Sequence, residues 1–288
     1  MQETIEILSV DLLDQHRPLV ERLRALARSL KLEFGWHYLL DLTWIISRLG
    51  DVQGKRIMDA GAGTGVLQWY LAEEGAQVLS VDRISRADLP LRFRRRFRVK
   101  GLRRQDLAGI GEAVLRSLDT PGRLARLICD LPALAKRRGA AGSVTIYHQD
   151  LCSLVDIPSE SLDAVVAVSA LEHNNPEELA LVVVELLRVL KPGGLLLATL
   201  GAARDRDWFH EPSQGWCYTE ASLCKIFNLP IDTPTNYSHY NELIAALREC
   251  AELRDNLASF YFRSGDNGMP WGKWDPQYQP VGVCKVKR

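Results

Sequence analysis

The chain has 288 residues, 47% of them hydrophobic and 25% charged, with Lys plus Arg and Asp plus Glu balanced at 36 each. These values suit one large globular domain with additions and supply a sizeable core. Zero formal net charge gives no whole-protein field to draw nucleic acid, and no apolar run reaches the length of a membrane span.

The acidic start MQETIEILSV lacks a basic region followed by an apolar core, so no secretory leader is expected and the cytoplasm is the expected location. Leu19, Leu23, Leu26 and Leu30, spaced by 4, 3 and 4, predict an amphipathic helix. WHYLLDLTWIISRLG (36–50) predicts a second helix ending at Gly50. Together they form an N-terminal helical extension, residues 1–50, ahead of a main domain over 51–288. KRIMDA is a short strand. A glycine turn, a helix from about Val66 to Glu74 closed by Gly75, and a strand QVLSVD follow. This βαβ start points to a parallel sheet flanked by helices.

About sixty residues, 83–143, then stand where a short crossover would do, and they read as a helical insertion. VTIYHQD (144–150) resumes the strands, and LDAVVAVSAL (162–171) has the unbroken apolar character of a strand buried on both faces. Asn175-Pro176 starts a helix that stops at Lys191-Pro-Gly-Gly194, before a strand LLLATL. SFYFRS (259–264) and QPVGVCKVKR (279–288) predict a closing pair of strands. The six cysteines form no CxxC pair and no zinc spacing, so reduced, mostly buried thiols and no metal site are expected.

The chemistry concentrates in DAGAGTG, residues 59–65. Gly61, Gly63 and Gly65 strip side chains from a strand-to-helix turn, so a ligand can approach backbone amides closely. Asp82 ends the next strand, where a carboxylate can accept both hydroxyls of an adenosine ribose. Val66 stands where a dinucleotide fold places its third glycine, which disfavours NAD.

DAGAGTG with Asp82, HQDL (148–151), DAVVAVSALEH (163–173) and LRVLKPGGLLLATL (187–200) together resemble the class I S-adenosylmethionine-dependent methyltransferases. The resemblance covers residues 55–85 and 144–201. It implies an α/β, doubly wound, mostly parallel seven-stranded sheet, and S-adenosyl-L-methionine as cofactor. By that resemblance Asp59, Gly61, Gly63 and Gly65 shape the pocket around the methionine part. Asp82 holds the ribose, with Arg83 beside the adenine edge. Asp150 accepts from the adenine amino group, Leu151 packs on the ring, and Ser169 and Ala170 face the sulfonium. Arg83 and Ser169 also read as ordinary polar residues at strand ends.

A hydroxyl acceptor must lose a proton as it attacks, and a neutral His suits that task. His173 lies just after the strand 162–171, with Glu172 beside it to orient it or serve instead. The pair reads equally as solvated residues preceding the next helix. SALE is unlike the Asp/Asn-Pro-Pro-aromatic string of base amino methylation, and no cysteine nucleophile lies in the segment. Nearby Cys152 reads as a buried thiol.

From Arg83 to Arg138 the chain has sixteen Lys or Arg against five Asp or Glu. Within it Leu89, Phe93 and Phe97 recur every four residues among arginines. Four readings stand open. The segment is a packed helical lid with solvated charges, a site for a phosphate-bearing acceptor, a peripheral membrane contact, or, least favoured, a nucleic-acid surface. Trp208, His210 and Trp216 follow the strand 195–200, where a loop can wall a substrate pocket. The expected activity is methyl transfer to a small-molecule acceptor at a hydroxyl oxygen, with a sugar or glycan precursor among the candidates. A non-catalytic cofactor-binding scaffold acting through the basic insertion is the alternative, and the oligomeric state is open.

Overall fold

A computed structural model describes residues 2–113, 139–263 and 268–288. The part of the basic segment from 114 to 138 lies outside the described residues. Among the described residues the strands are β1 (Thr4–Ile7), β2 (Arg56–Ala60), β3 (Gln77–Asp82), β4 (Arg98–Gly101), β5 (Ser143–His148), β6 (Leu162–Val168), β7 (Leu190–Ala202), β8 (Trp208–His210), β9 (Gly215–Tyr218) and β10 (Gln279–Val286). They form one ten-stranded sheet, ordered β1-β10-β7-β6-β2-β3-β5-β4, with β9 beside β7 and β8 beside β9. The sheet is mostly parallel and larger than the seven strands expected. Only β10, between β1 and β7, and β8, against β9, pair antiparallel.

The central strands sit where their composition puts them. Along β6, Ala164 and Val166 enter one apolar core while Val165 and Ala167 enter the other, the two-sided burial that a continuous apolar strand permits. The first core takes α1 (Leu12–Gln15), α2 (Arg17–Leu30), α3 (Tyr38–Leu49), α4 (Leu67–Glu73) and α5 (Leu91–Arg96). In α2 the buried stripe is Val20, Leu23, Leu26, Ala27 and Leu30, with Leu19 at its margin. The second core takes α6 (Pro176–Val189) and α7 (Glu220–Ile226). Asn175 caps α6: its side chain accepts from Glu178 N at 2.9 Å, and the Glu178 carboxylate accepts from Asn175 N at 3.3 Å. This reciprocal pair satisfies two otherwise orphaned donors. Helices α8 (Tyr240–Arg248) and α9 (Ala251–Arg254) follow.

Three local expectations are corrected. Ser259–Phe262 is a 3₁₀ turn instead of a strand, because Tyr261 turns inward and its hydroxyl accepts from Trp36 N at 3.0 Å. The partners of β10 are β7 and the N-terminal β1 instead. Cys152 is exposed, since it lies in the loop beyond β5 with its backbone amide on Asp150 Oδ1.

The basic segment includes a strand as well as a helix. Leu89, Phe93 and Phe97 are all buried, but α5 ends at Arg96 and β4 extends the sheet edge beside β5. Phe93 stacks on Trp69 of α4, with centroids 4.6 Å apart. Arg94 donates to the Leu89, Ala108 and Ala87 carbonyls, Arg96 to Glu73 and Ser29, and Arg98 to the carbonyls of 140–142. Much of the charge in the described part thus holds the segment to the domain. Among the described residues no helix is long and apolar enough to cross a membrane.

Candidate cofactor cleft and active site

The carboxyl ends of β2, β3, β5 and β6 open on one edge of the sheet, the place where open α/β sheets bind ligands. Two cavities meet there. One, about 510 Å³, is lined by Asp82, Arg83, Ile84, Asp150, Leu151, Ala170, His173, Asn174 and Gln214. The other, about 470 Å³, is lined by Asp59, Thr64, Gly65, Val66, Arg92, Val168 and the 31–34 linker between α2 and α3. Tyr38, Gly61, Gly63 and Ser169 line both, so the two are lobes of one cleft.

The glycine turn is fixed by three sets of contacts. Gly61 N and Ala62 N donate to Val81 O at 2.9 and 3.0 Å. Gly63 N donates to Asp82 Oδ2 at 2.7 Å, and Ile84 N to Asp82 Oδ1 at 2.7 Å. Each Asp82 oxygen keeps a lone pair for a ligand hydroxyl. Beneath the turn, Gln68 Nε2 reaches the carbonyls of Ala62, Gly63 and Gly65 at 3.4, 3.3 and 3.1 Å. Ser80 Oγ donates to Gln68 Oε1 at 2.7 Å and accepts from Arg86, which also donates to Gly63 O at 3.1 Å. Gln68, Ser80 and Arg86 belong to no motif and were missed by sequence reasoning. Only the coupling of a buried Arg to a glycine loop in space reveals them.

Arg86 is 6% exposed among Asp59, Asp82 and Asp106. Burial pulls its pKa down and the three carboxylates push it up, with burial the larger effect. Asp59 is buried and its pKa is pushed up to about 7, by desolvation first, against the pull of Arg86 and with the repulsion of Asp82.

Asp59, the three glycines, Asp82, Arg83, Asp150, Leu151, Ser169 and Ala170 all line the cleft. Two carboxylates, Asp82 and Asp150, and exposed glycine backbone are the kinds of group that could hold adenosylmethionine. Gly61 has φ +72, and a Cβ there would stand 2.4 Å from Ala170 Cβ. Side-chain-free backbone therefore faces the cleft between the Asp82–Asp150 end and Ser169.

His173 also lines the cleft. Its Nδ1 lies 2.8 Å from Gln214 O; a carbonyl can only accept, so Nδ1 carries the proton and Nε2 keeps its lone pair in the neutral ring. Glu172 is 7% exposed, which removes the solvated-loop reading for it. Its Oε1 accepts from Ser169 Oγ.

Trp208 and His210 point together from β8, their rings 5.6 Å apart. His210 Nδ1 is 2.7 Å from Ser213 Oγ and its ring 5.2 Å from Tyr278. Trp216 on β9 packs on Phe209 at 5.6 Å. Neither lobe is lined by these three; their hairpin reaches the cleft through Gln214. A buried His37–Asp41 pair at 2.7 Å, with Tyr278 Oη 3.4 Å from His37 Nε2, packs behind them.

Residues 126–198 match the family model of a methyltransferase domain. The chain carries a methyltransferase domain. The match spans β5, β6, α6 and much of β7, roughly a quarter of the chain, and S-adenosylmethionine is the cofactor of such a domain. The chain is similar to the ubiquinone biosynthesis O-methyltransferase of Acinetobacter baumannii strain AYE, 44% identical over 43 residues, 15% of this chain and 18% of that one. The chain spans about a fifth of the length of the curated relatives it matches. Among solved structures, the [4+2]-cyclase SpnF is 18% identical, with 95% of this chain and 94% of that one covered at a TM-score of 0.49. The 1,6-didemethyltoxoflavin-N1-methyltransferase of Burkholderia thailandensis is 14% identical, covering 96% and 84% at a TM-score of 0.44.

Proposed function

We propose that this methyltransferase-domain protein transfers a methyl group from S-adenosylmethionine to a hydroxyl oxygen of a small-molecule acceptor, a sugar or glycan precursor being one candidate. The observation that carries the reading is the meeting of both lobes at Gly61, Gly63, Ser169 and Tyr38, with Asp82 and Asp150 at one end and His173 on the wall. The local likeness to an O-methyltransferase supports oxygen as the acceptor atom.

The bound cofactor supplies an activated methyl group on a cationic sulfur. Asp82 and Asp150 orient its nucleoside, and the glycine turn lets it lie against backbone. His173 takes the acceptor's proton at Nε2 while Gln214 O holds the Nδ1–H tautomer. Proximity and orientation supply much of the rate. Trp208, His210 and Trp216, on the hairpin that carries Gln214, are the acceptor-side residues of this reading.

Incubation with adenosylmethionine and fractionated small-molecule extracts, with adenosylhomocysteine as the readout, tests the reading. Acceptor-dependent product that Asp82→Ala abolishes supports it. Cofactor binding with no product from any fraction favours the scaffold alternative.

A further inference from the structure

Ser169 stands where the two lobes meet, and its backbone holds φ +44, a left-handed conformation that non-glycine residues seldom adopt. Three hydrogen bonds hold it there. Ser169 N donates to Thr199 O and Thr199 Oγ1 at 3.2 and 3.1 Å, and Ser169 Oγ donates to Glu172 Oε1. A hydroxyl has one proton and two lone pairs. While that proton is given to Glu172, Ser169 can offer the cleft only a lone pair.

Glu172 itself is walled in. A Cβ at Gly215 would lie 3.1 Å from Glu172 Cγ, so the β9 strand closes one side. Its Oε2 is buried and has no hydrogen-bond partner among the described residues. Among the described residues the titratable groups facing it are His173 on its own turn, His37 and Tyr38 at the start of α3, Cys217 and Tyr218 on β9, and Tyr278 before β10. Of these only the two histidines can carry positive charge. The carboxylate therefore has weak compensation for the water it has lost.

We propose that Glu172 is a positioning residue whose own proton decides whether Ser169 presents the cleft with a lone pair or with a hydrogen, and so how strongly the cleft holds a cation. The proposal rests on the adenosylmethionine reading of the cleft and assigns a preference within it, for the sulfonium donor over its uncharged thioether product. With Glu172 ionised, Ser169 gives its proton to Oε1 and turns an oxygen lone pair toward the cleft. With Glu172 protonated, the acid can donate to Ser169 Oγ instead, and the serine proton is released toward the cleft. The Tyr38 phenol beside Ser169 both donates and accepts, so it follows either arrangement. Burial raises the Glu172 pKa above its ordinary value, against the pull of His173, Ser169 and His37, which moves the change of polarity up from the usual carboxylate range.

Isothermal titration of wild type, Glu172→Gln and Ser169→Ala with adenosylmethionine and with adenosylhomocysteine, from pH 5 to 9, tests this. Beyond the titration of Asp59, which all three proteins share, the wild-type preference for the sulfonium form should rise about tenfold with pH, through one further proton transition above the ordinary carboxylate range. Glu172→Gln cannot titrate at that position. Dividing the wild-type profile by that of Glu172→Gln removes the ligand's own titration and should leave the transition. Ser169→Ala should lack it too, and serves alone if Glu172→Gln does not fold. A wild-type profile of the same shape as Glu172→Gln, or a transition retained in Ser169→Ala, overturns the proposal and leaves the cofactor reading intact. Failure of the wild type to bind either ligand at any pH brings both down.

Discussion

Gly61 and Ala170 approach so closely that a methyl group on Gly61 would stand 2.4 Å from the Ala170 Cβ, and Gly61 also holds φ +72. Both constraints act at the seam between β2 and β6. Gly61→Ala should destabilise the protein by about 2–5 kcal/mol, combining a left-handed Ala with overpacking, and should abolish adenosylhomocysteine binding. Adding Ala170→Gly should restore only the packing part. Thermal melts of the single and double variants separate the two contributions, and full recovery in the double variant would deny the backbone part.

Asp82 fixes the glycine turn and faces the cleft with the same carboxylate. Asp82→Asn replaces one charged acceptor oxygen by an NH₂ group, which cannot accept from a backbone amide. Hydrogen bonds to charged groups are worth about 1.5–3 kcal/mol, so cofactor affinity should fall roughly 10- to 150-fold. Calorimetric affinity near that of the wild type would remove Asp82 from the ribose site.

Asp59 carries a pH signature. Desolvation holds its folded pKa at about 7, well above the usual carboxylate range, with Arg86 opposing and Asp82 adding to the rise. A raised carboxylate favours the protonated folded state. Its contribution to stability is therefore present below the unfolded pKa and is lost as pH climbs to about 7. Asp59→Asn removes that loss, so its melting temperature should rise relative to wild type between pH 4 and 7, by an amount worth roughly 3–5 kcal/mol. A difference independent of pH over this range would contradict the assignment.

The basic segment is anchored by an aromatic contact. Phe93 is 1% exposed and stacks on Trp69, so Phe93→Ala should cost about 3–5 kcal/mol. Chemical denaturation reads this directly, and a loss below about 1 kcal/mol would mean that α5 does not belong to the core.

His173→Ala should lower kcat by about 10²–10⁴ with any acceptor that gives turnover, with little change in cofactor affinity. The kcat-against-KM split checks it: full turnover would eliminate the base, and a rise in KM alone would make His173 a binding group.

The parallel core was legible because its signals are local. Apolar runs such as 162–168, the capped start at Asn175 and the glycine turn each declare themselves within ten residues. What was missed depends on distant partners. Thr4–Ile7 is a strand only because residues 281–284 pair with it. SFYF has the composition of a strand, yet Tyr261 is spent on Trp36. Arg98–Gly101 is mostly polar, and its strand character comes from the register with 143–146. At the site, the residues that the resemblance assigns to the cofactor are brought to one cleft. The burial of Glu172, by contrast, is made by Gly215 and Tyr278 from far along the chain, and no pattern around SALEH foretells it.

Direct calorimetric titration with S-adenosylmethionine and S-adenosylhomocysteine tests the central claim. One ligand per chain should bind, and Asp82→Ala should abolish the heat. Absence of heat with both ligands from a folded wild-type chain would contradict the assignment of this cleft.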